Sequence, residues 1–356
     1  MSSSIFVINP GSTSTKIALY RDDHPVFDKE ITHTAAELAS FPSTSAQQEY
    51  RESIILHCLR EHNIALGEIT CIVARGGALK PIPSGTYRIS NPMLADLQNC
   101  TYGDHASNLG ALLATRLAKT LGVEAYIVDP ITVSEMDEVA TISGMPELKR
   151  ESIFHALNQK AVARTAAGAL GKSYADARLI VVHMGGGISV GVHKYGRVVD
   201  VNNALNGDGP LSPTRSGSVP EWSLVQMTMS GKYRQDHFTQ RIMTNGGVSA
   251  YLGTSDIREV KRMASEGNKV ARLVYDAMIY QVAKEIGACA TVLEGQVDAI
   301  VMTGGLARDE DIVEQLRKRT AFIATTLVYP GSDEMRALAS GALRVLNGEE
   351  MAREYC

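Results

Sequence analysis

The stretch Phe6-Val-Ile-Asn-Pro-Gly-Ser-Thr-Ser-Thr-Lys16 decides the fold, because an apolar run enters a hydroxyl-rich turn and leaves it through Ile17-Ala-Leu-Tyr20. This pattern predicts two strands, 5–9 and 16–20, joined as a hairpin. The polar residues of the segment are Asn9, Gly11, Ser12, Thr13, Ser14 and Lys16. Backbone N–H groups, hydroxyls and an ammonium that converge in such a turn attract a polyanion. A plain hairpin whose Ser and Thr residues only satisfy turn geometry is the alternative.

A second segment, 179–193, repeats this arrangement of apolar strand, glycine-rich turn and returning apolar strand. Its turn has three consecutive glycines, Gly185, Gly186 and Gly187, whereas a hairpin needs only one or two. The third glycine is explained if the backbone of this turn, which carries no side chain, comes close to a ligand. His183 precedes the turn, where its N–H could stabilise transferring charge, although a structural histidine of the core is the alternative. The two segments together predict an internal duplication, with one phosphate-binding hairpin in each half.

Two further segments are candidates for ligand contact. Gly304 and Gly305 follow an apolar strand at a switch to a helix, where a glycine pair lets a purine and ribose approach the backbone. Arg215 lies in a proline-constrained loop, 208–217, which suits bidentate contact with phosphate or carboxylate, although a plain surface charge is the alternative.

The rest of the chain alternates strands with helices, which predicts an α/β protein with mixed sheets. Predicted strands are 5–9, 16–20, 71–75, 124–129, 179–184, 189–193, 197–202, 299–303 and 325–329. Predicted helices are one over 109–121 that ends at Gly122, one over 151–170, and a long one over 268–294. The long helix is expected to turn Val270, Leu273, Val274, Val282 and Ile286 inward. A domain boundary is expected near 145–152.

Composition excludes several classes of protein. A net charge of −4 gives no general attraction to nucleic acid or to anionic membranes. The five cysteines are scattered without a Cys-x-x-Cys pair, so neither a zinc site nor a disulfide framework is indicated, and a cytoplasmic location is expected. No apolar run reaches the length of a membrane span, and neither a Walker-type nor a dinucleotide-binding glycine pattern is present.

In chain order, segments 5–20, 179–193, 297–310 and 332–346 resemble the two phosphate hairpins, adenosine segment and closing helix of the sugar kinase/heat-shock protein/actin superfamily. Within it the chain resembles the acetate kinase family. The residues that carry this likeness are Asn9-x-Gly11-Ser12-x-Ser14-x-Lys16, His183-x-Gly185-x-Gly187, Thr214-Arg-Ser-Gly217, Gly304-Gly305 and Asp333-Glu334. Segment 150–158 also resembles the family. Acetate kinases carry a His-Arg pair ahead of the first Gly-Gly, where this chain reads Cys71-Ile-Val-Ala-Arg75.

The resemblance implies two similar ribonuclease H-like (actin-type) domains, with mixed sheets flanked by helices and a nucleotide cleft between the domains. The N-terminal domain is expected to span 1–148 plus the closing helix at 334–356, and the C-terminal nucleotide-binding domain 149–333. It also implies Mg²⁺-dependent, reversible transfer of phosphate from ATP to a short-chain carboxylate, which gives an acyl phosphate and ADP. Segments 74–77, 81–83, 128–130 and 202–210 resemble family members that act on butyrate. Isobutyrate, propionate and acetate are the alternatives, and a homo-oligomer is expected.

By the same resemblance, Arg215, His183, Asp129 and Arg75 are the expected catalytic residues. Asn9, Asp129 and Glu334 are expected at the magnesium ion, since oxygen ligands suit Mg²⁺. The expected nucleotide-binding residues are Asn9, Gly11, Ser12, Thr13, Ser14, Lys16, Gly185, Gly186, Gly187, Asp208, Gly304, Gly305 and Leu306.

Two other functions remain open on the same fold. A sugar or amino-sugar kinase would use Asp129 as a general base, because a hydroxyl must lose its proton. A regulatory ATPase of the actin or heat-shock type would bind ATP without a phosphoryl acceptor.

Overall fold

The computed structural model describes residues 3–356, which divide into two compact units. Unit 1 contains the chain up to Val133 together with Asp333–Cys356, and unit 2 contains Ser134–Ser332. The first boundary between the units therefore lies after Val133 and not at the expected 148/149, because the residues that follow Val133 already form hydrogen bonds and ion pairs within unit 2. The Asp137 N–H donates to the Val199 carbonyl at 2.9 Å, and Lys160 Nζ lies 2.5 Å from the Glu135 carboxylate.

Unit 1 is built on one mixed sheet. Its strands are β1 (Ser4–Pro10), β2 (Ser14–Arg21), β3 (His24–Thr32), β4 (Cys71–Arg75), β5 (Thr86–Arg88) and β6 (Glu124–Val128). Its helices are α1 (Ala35–Leu38), α2 (Gln48–Glu61), α3 (Asn91–Gln98), α4 (Asn108–Leu121) and, at the end of the chain, α12 (Glu334–Leu346). The strand order is β3-β2-β1-β4-β6-β5, with β1, β4 and β6 parallel.

Helices cover both faces of this sheet. Ile127 of β6 clusters with Ala111 of α4, whereas a Cβ placed on Gly341 of α12 would lie 2.5 Å from the side chain of Val128. Adjacent residues of a strand point to opposite faces, so α4 and α12 lie on opposite sides. Gly341 is required there by the close approach of helix and strand.

Unit 2 is built on a second mixed sheet. Its strands are β7 (Arg178–Met184), β8 (Ile188–Lys194), β9 (Arg197–Val201), β10 (Ala299–Gly304) and β11 (Thr326–Pro330). Its helices are α5 (Ala156–Ala169), α6 (Glu221–Met229), α7 (Gln235–Met243), α8 (Gly247–Leu252), α9 (Ile257–Ser265), α10 (Lys269–Val292) and α11 (Glu310–Thr320). Ile180 and Val182 of β7 cluster with α10, while Leu179 and Val181 cluster with α5.

The two sheets share one topology. Unit 2 reads β9-β8-β7-β10-β11, with two antiparallel pairings followed by two parallel ones, and the β3-β2-β1-β4-β6 part of unit 1 has the same pattern. The internal duplication predicted from the two hairpins is therefore present in the fold.

The nine predicted strands are confirmed within a residue or two at each end. Helix α4 ends at Gly122 as predicted, with the glycine at φ 70°. The prediction for α10 was wrong at Val270 and Leu273, which are 52% and 69% exposed. The inward face begins at Ala271 and continues through Val274 and Met278, so two apolar residues are left on the outer face.

Candidate active site

The carboxyl ends of the parallel strands of unit 1 bring three of the predicted residues to one edge. Asn9 lies near the end of β1, Arg75 ends β4, and Asp129 follows β6. The register pairs Ile8 with Ala74 and Arg75 with Val128, so the three positions are neighbours across the sheet. This edge is where α/β sheets bind ligands.

Glu334, the first residue of α12, joins this edge. Its Oε2 accepts a hydrogen bond from Asn9 Nδ2 at 2.7 Å and lies 3.2 Å from Arg75 NH1. The side chains of Arg75 and Glu334 are each about a quarter exposed, at 27% and 26%. Three predicted site residues, which are far apart in sequence, thus form one cluster that solvent can reach.

Asp129 is held in a strained conformation. It is buried, at 3% exposure, and its φ is 38°, in the left-handed region that few residues other than glycine adopt. One carboxylate oxygen, Oδ1, accepts hydrogen bonds from Ser84 Oγ at 2.6 Å and from the Gly85 N–H at 2.8 Å. Such backbone strain persists where the surroundings over-determine it, and it is frequent at functional sites.

The first turn, residues 11–14, joins β1 to β2 as predicted. Ser12 and Thr13 are exposed, and in residues 3–356 their backbone N–H groups have no hydrogen-bond acceptor. These amides are available to an anion. Lys16 lies beyond the turn on β2, where its ammonium is 3.8 Å from Glu30.

The second turn, 185–187, joins β7 to β8 and is braced by the loop that carries Arg215. The Gly186 carbonyl accepts hydrogen bonds from Ser212 Oγ at 2.7 Å, Thr214 Oγ1 at 2.9 Å and the Thr214 N–H at 3.1 Å. Both flanking strands are buried. The turn is thus fixed from one side by three donors.

Arg215 packs directly on Gly187. A Cβ on Gly187 would lie 1.9 Å from Arg215 NH1, so any larger residue would displace this guanidinium. Arg215 NH1 donates to the Ala204 carbonyl at 2.7 Å, while Nε is buried without a hydrogen-bond partner among residues 3–356. Burial lowers the pKa of Arg215 from its usual value. A partly desolvated cation therefore lies at the second turn.

His183, at the end of β7, is stacked on a second histidine, His155. The two rings are 3.8 Å apart and nearly parallel, at 8°. His183 Nδ1 bonds to Asn158 Oδ1 at 2.6 Å, and a Cβ on Gly185 would lie 3.4 Å from His183 Nε2. Since the amide oxygen can only accept, Nδ1 carries the proton and Nε2 faces the turn.

A buried chain of hydrogen bonds runs to His155. Tyr174 Oη bonds to His193 Nδ1 at 2.8 Å, and His193 Nε2 to Gln159 Oε1 at 3.0 Å. Gln159 Nε2 donates to Ser189 Oγ at 2.8 Å, and Ser189 Oγ bonds to His155 Nδ1 at 2.9 Å. Burial, then Lys160 and Arg164, hold the pKa of His193 well below its usual value, so this ring is neutral. The chain fixes the orientation of His155.

The remaining predicted residues of unit 2 lie around these turns. Gly304 ends β10 at φ 87°, and a Cβ there would lie 2.3 Å from the Met184 carbonyl, next to the second turn. Gly305 and Leu306 begin a short 3-10 helix, 305–308. Asp208 is occupied within its own loop, because it accepts from the N–H groups of Asn203 and Gly209 at 3.1 and 2.8 Å.

No sequence motif assigns a role to His155, His105 or Arg51. His155 could have been found, since it lies in segment 150–158, which resembles the family. Desolvation, followed by the charge of Arg75, lowers the pKa of His105, whose Nδ1 bonds to Ser107 Oγ at 2.6 Å. Arg51 is a helix residue in no recognisable motif.

Comparison with known proteins identifies the family. A family model described as "Acetokinase family" matches residues 147–325. The chain is 52% identical to "Butyrate kinase 1" of Clostridium acetobutylicum over 351 residues, which cover 99% of each protein. The chain belongs to the acetokinase family.

Solved structures agree on the fold. The acetate kinase of Porphyromonas gingivalis has a TM-score of 0.78 at 21% identity, over 97% of this chain and 100% of that one. A propionate kinase from Francisella tularensis has a TM-score of 0.76 at 18% identity, over 95% and 98%. The predicted α/β fold of two ribonuclease H-like (actin-type) domains, with mixed sheets flanked by helices, is confirmed. Within residues 3–356, every helix is too short or too polar to traverse a lipid bilayer.

The donor set of unit 1 fits a magnesium ion. Asn9 and Glu334 supply an amide oxygen and a carboxylate side by side, and Asp129 keeps a second carboxylate oxygen beyond its two hydrogen bonds. No group of three or more His, Cys, Asp or Glu residues suited to a metal occurs in the described part of the chain. Mg²⁺ does not require one, since it is usually bound by one or two carboxylates, substrate phosphates and water.

Proposed function

We propose that this chain phosphorylates a short-chain carboxylate, butyrate foremost, with ATP, and that it forms ATP from the acyl phosphate in the reverse direction. The observation that carries the proposal is the 52% identity to butyrate kinase 1 along nearly the whole of both proteins. The turns, arginines and histidines described above supply the chemistry that such a reaction needs.

The acceptor needs no general base. A carboxylic acid with a pKa near that of Glu, about 4.3, is ionised at neutral pH. One carboxylate oxygen forms the bond to the γ-phosphorus, and the bond between that phosphorus and the β–γ bridging oxygen breaks, so that ADP leaves with the electron pair. Both reactants are anions, and the enzyme must therefore neutralise charge.

We assign that neutralisation to Arg215, Arg75 and His183, with His155 added from the structure. Arg215 is partly desolvated, which strengthens its interaction with a phosphoryl group. His183 presents Nε2 to the second turn, and His155 is stacked against it. Arg75 is held by Glu334, so its guanidinium has a fixed position.

We assign the nucleotide phosphates to both glycine turns: to residues 11–14 with Asn9 and Lys16, and to Gly185, Gly186 and Gly187. Gly304, Gly305 and Leu306 receive the adenosine, because glycine leaves the backbone bare at the end of β10. Asp208 acts through its loop, which carries Arg215.

Asn9, Asp129 and Glu334 would hold the magnesium ion. When bound, Mg²⁺ neutralises phosphate charge during transfer. The ion pair with Arg75 and the hydrogen bond from Asn9 keep the Glu334 carboxylate at the edge of the sheet, which limits the entropy lost when it binds a ligand.

Hydroxylamine trapping tests the proposal. The protein is incubated with ATP, Mg²⁺ and a C2–C5 carboxylic acid in the presence of hydroxylamine, which converts acyl phosphates, but not sugar phosphates, to hydroxamates. We expect ATP-dependent hydroxamate, with the highest kcat/KM for butyrate. Each methylene group is worth about 0.8 kcal/mol of burial, so acetate and propionate should react less well. Phosphorylation of a sugar without any hydroxamate would refute the proposal.

We also propose that the chain forms a homo-oligomer, a dimer or larger. Helix α6 leaves Trp222 and Met229 71% and 81% exposed, and exposed apolar patches are typical of association surfaces. Light scattering on the eluting protein tests this, and a monomer mass at micromolar concentration would contradict it.

A cytoplasmic location is proposed on the state of the thiols. All five cysteines are free, and Cys58, Cys71 and Cys289 are buried. Free thiols suit a reducing compartment.

A further inference from the structure

We infer that Arg51, a buried cation beneath the first turn, is a positioning residue for nucleotide phosphate. The inference rests on the proposed function, since it concerns the turn assigned above to the phosphates. Arg51 lies on α2 and is 1% exposed, although a guanidinium is among the most expensive groups to bury. In residues 3–356 it forms no ion pair with a carboxylate.

The hydrogen bonds of Arg51 show what its charge does. NH1 donates to the carbonyls of Gly11 at 2.9 Å and Ser14 at 3.1 Å, and NH2 donates to the carbonyl of Ser12 at 3.2 Å. The fourth carbonyl of the turn, that of Thr13, accepts from the His33 N–H at 2.8 Å. All four carbonyls of residues 11–14 are thus occupied by donors of unit 1.

A ligand that approaches the turn meets the N–H groups of these peptides and not their carbonyls. Because the Gly11 and Ser12 carbonyls are tied to Arg51, the amides in the same peptide planes, those of Ser12 and Thr13, are directed away from it. Both residues are exposed, and neither amide has an acceptor among the described residues. Consecutive N–H groups presented in this way form an anion-binding nest.

The rest of the surroundings hold Arg51 in place. Gln47 Oε1 accepts from Nε at 3.0 Å and from NH2 at 2.8 Å, and Thr15 Oγ1 accepts from NH1 at 2.9 Å. Thr15 Oγ1 also bonds to His33 Nε2 at 2.9 Å, and burial followed by the charge of Arg51 lowers the pKa of His33. Within residues 3–356 no carboxylate forms an ion pair with the guanidinium, so its field reaches the turn and favours a phosphate on the outer side.

The test compares ligands that differ only in phosphate. Binding of ATP and of adenosine to the wild type and to Arg51→Lys is measured by calorimetry, together with KM for butyrate. Lysine keeps the charge, but its single ammonium nitrogen cannot replace the planar fork of five donors with which Arg51 bonds to the turn, Thr15 and Gln47. We expect ATP affinity to fall by about 10–100-fold, the range typical of residues that orient a first contact. Adenosine affinity and the KM for butyrate should stay within about twofold of wild type, by the additivity of independent sites. Arg60→Lys, an exposed change on the same helix, is the matched control.

Gln47→Leu provides a second variant in case Arg51→Lys does not fold. It keeps Arg51 but removes the acceptor of two of its bonds, and a smaller loss confined to ATP is expected. Equal loss of ATP and adenosine affinity in the folded variants, or no loss of either, would overturn the inference. If the wild type forms hydroxamate while the variants bind ATP normally, the inferred role of Arg51 is refuted and the proposed function stands. If the wild type does not bind ATP, the proposed function fails with it.

Discussion

At the scale of single residues, the positions of the arginine cations are the main basis of the proposed mechanism. Arg215 is placed against Gly187, its buried Nε has no hydrogen-bond partner in the part of the chain that the structure describes, and Arg75 is paired with Glu334. Under the proposed function, each position would set a cation where phosphate charge must be neutralised. Replacing one such donor should affect turnover more than binding, because the charge to be stabilised develops in the transition state.

Arg215→Ala should lower kcat by about 10²–10³-fold, the usual cost of removing one charge-stabilising donor. Steady-state kinetics at saturating ATP and butyrate measure this. The matched control is Arg241→Ala, an exposed arginine of α7, which should retain wild-type turnover. Near-normal turnover of Arg215→Ala would remove the residue from the mechanism.

Asp129→Asn tests the magnesium assignment. Asparagine tolerates a positive φ and keeps an oxygen for Ser84 and Gly85, so the fold should survive. Loss of the carboxylate charge should weaken activity at low Mg²⁺, with partial recovery as Mg²⁺ is raised. A Mg²⁺ titration of initial rates decides the matter, and a curve parallel to that of wild type would argue against a metal role.

At the scale of elements, the turn between β7 and β8 and the loop at 208–217 act as one piece. The Gly186 carbonyl is bound by Ser212 and Thr214, and Gly187 makes room for Arg215. The chain of hydrogen bonds from His193 to His155 orders the same region from the protein interior. The position of this turn, and not only the identity of its residues, should therefore affect the rate of catalysis.

Gly187→Ala should lower the activity of the protein while it leaves the stability nearly unchanged. The added methyl group would meet the far end of the flexible Arg215 side chain, which can move aside, so the free energy of unfolding should change by less than about 1 kcal/mol. The displaced guanidinium should cost about 10²-fold in kcat. Urea unfolding and steady-state rates are measured for Gly187→Ala and for Gly168→Ala, whose methyl group would contact nothing. Equal turnover of the two variants would show that the position of the Arg215 guanidinium does not affect catalysis.

At the scale of the whole molecule, buried neutral histidines link stability to pH. Burial, with nearby cations, lowers the pKa values of His193 and His33 in the folded state. The unfolded chain takes up protons below its ordinary histidine pKa, about 6.5, whereas the folded chain does not. Stability is therefore complete above that pH and lost as pH falls, by up to about 1.4 kcal/mol per pH unit for each histidine.

His193→Asn should flatten this dependence. The free energy of unfolding is measured in urea between pH 7.5 and 5.5 for wild type, His193→Asn and the control His57→Asn, whose side chain is 70% exposed. We expect a shallower slope for His193→Asn and an unchanged slope for the control. Identical slopes in all three proteins would show that His193 does not titrate as inferred.

The fold could be predicted to the extent that it follows local patterns. β-branched runs and glycine turns predicted nine strands, but β3 (His24–Thr32) and β5 (Thr86–Arg88) were missed. The residues of β3 are largely polar and exposed, and β5 has only three residues. Val270 and Leu273 were expected inside since apolarity does not show which face of a helix packs. Motifs located the glycine turns and Arg215. The bonds of Arg51 and the stacking of His155 on His183 depend on tertiary contacts, which no local pattern encodes.

The most direct test is a crystal structure of the protein with a non-hydrolysable ATP analogue, Mg²⁺ and butyrate. We predict that the triphosphate accepts hydrogen bonds from the Ser12 and Thr13 amides and from the turn at 185–187, with a butyrate oxygen in line with the γ-phosphorus. A triphosphate bound by other residues, with both turns left empty, would contradict this prediction.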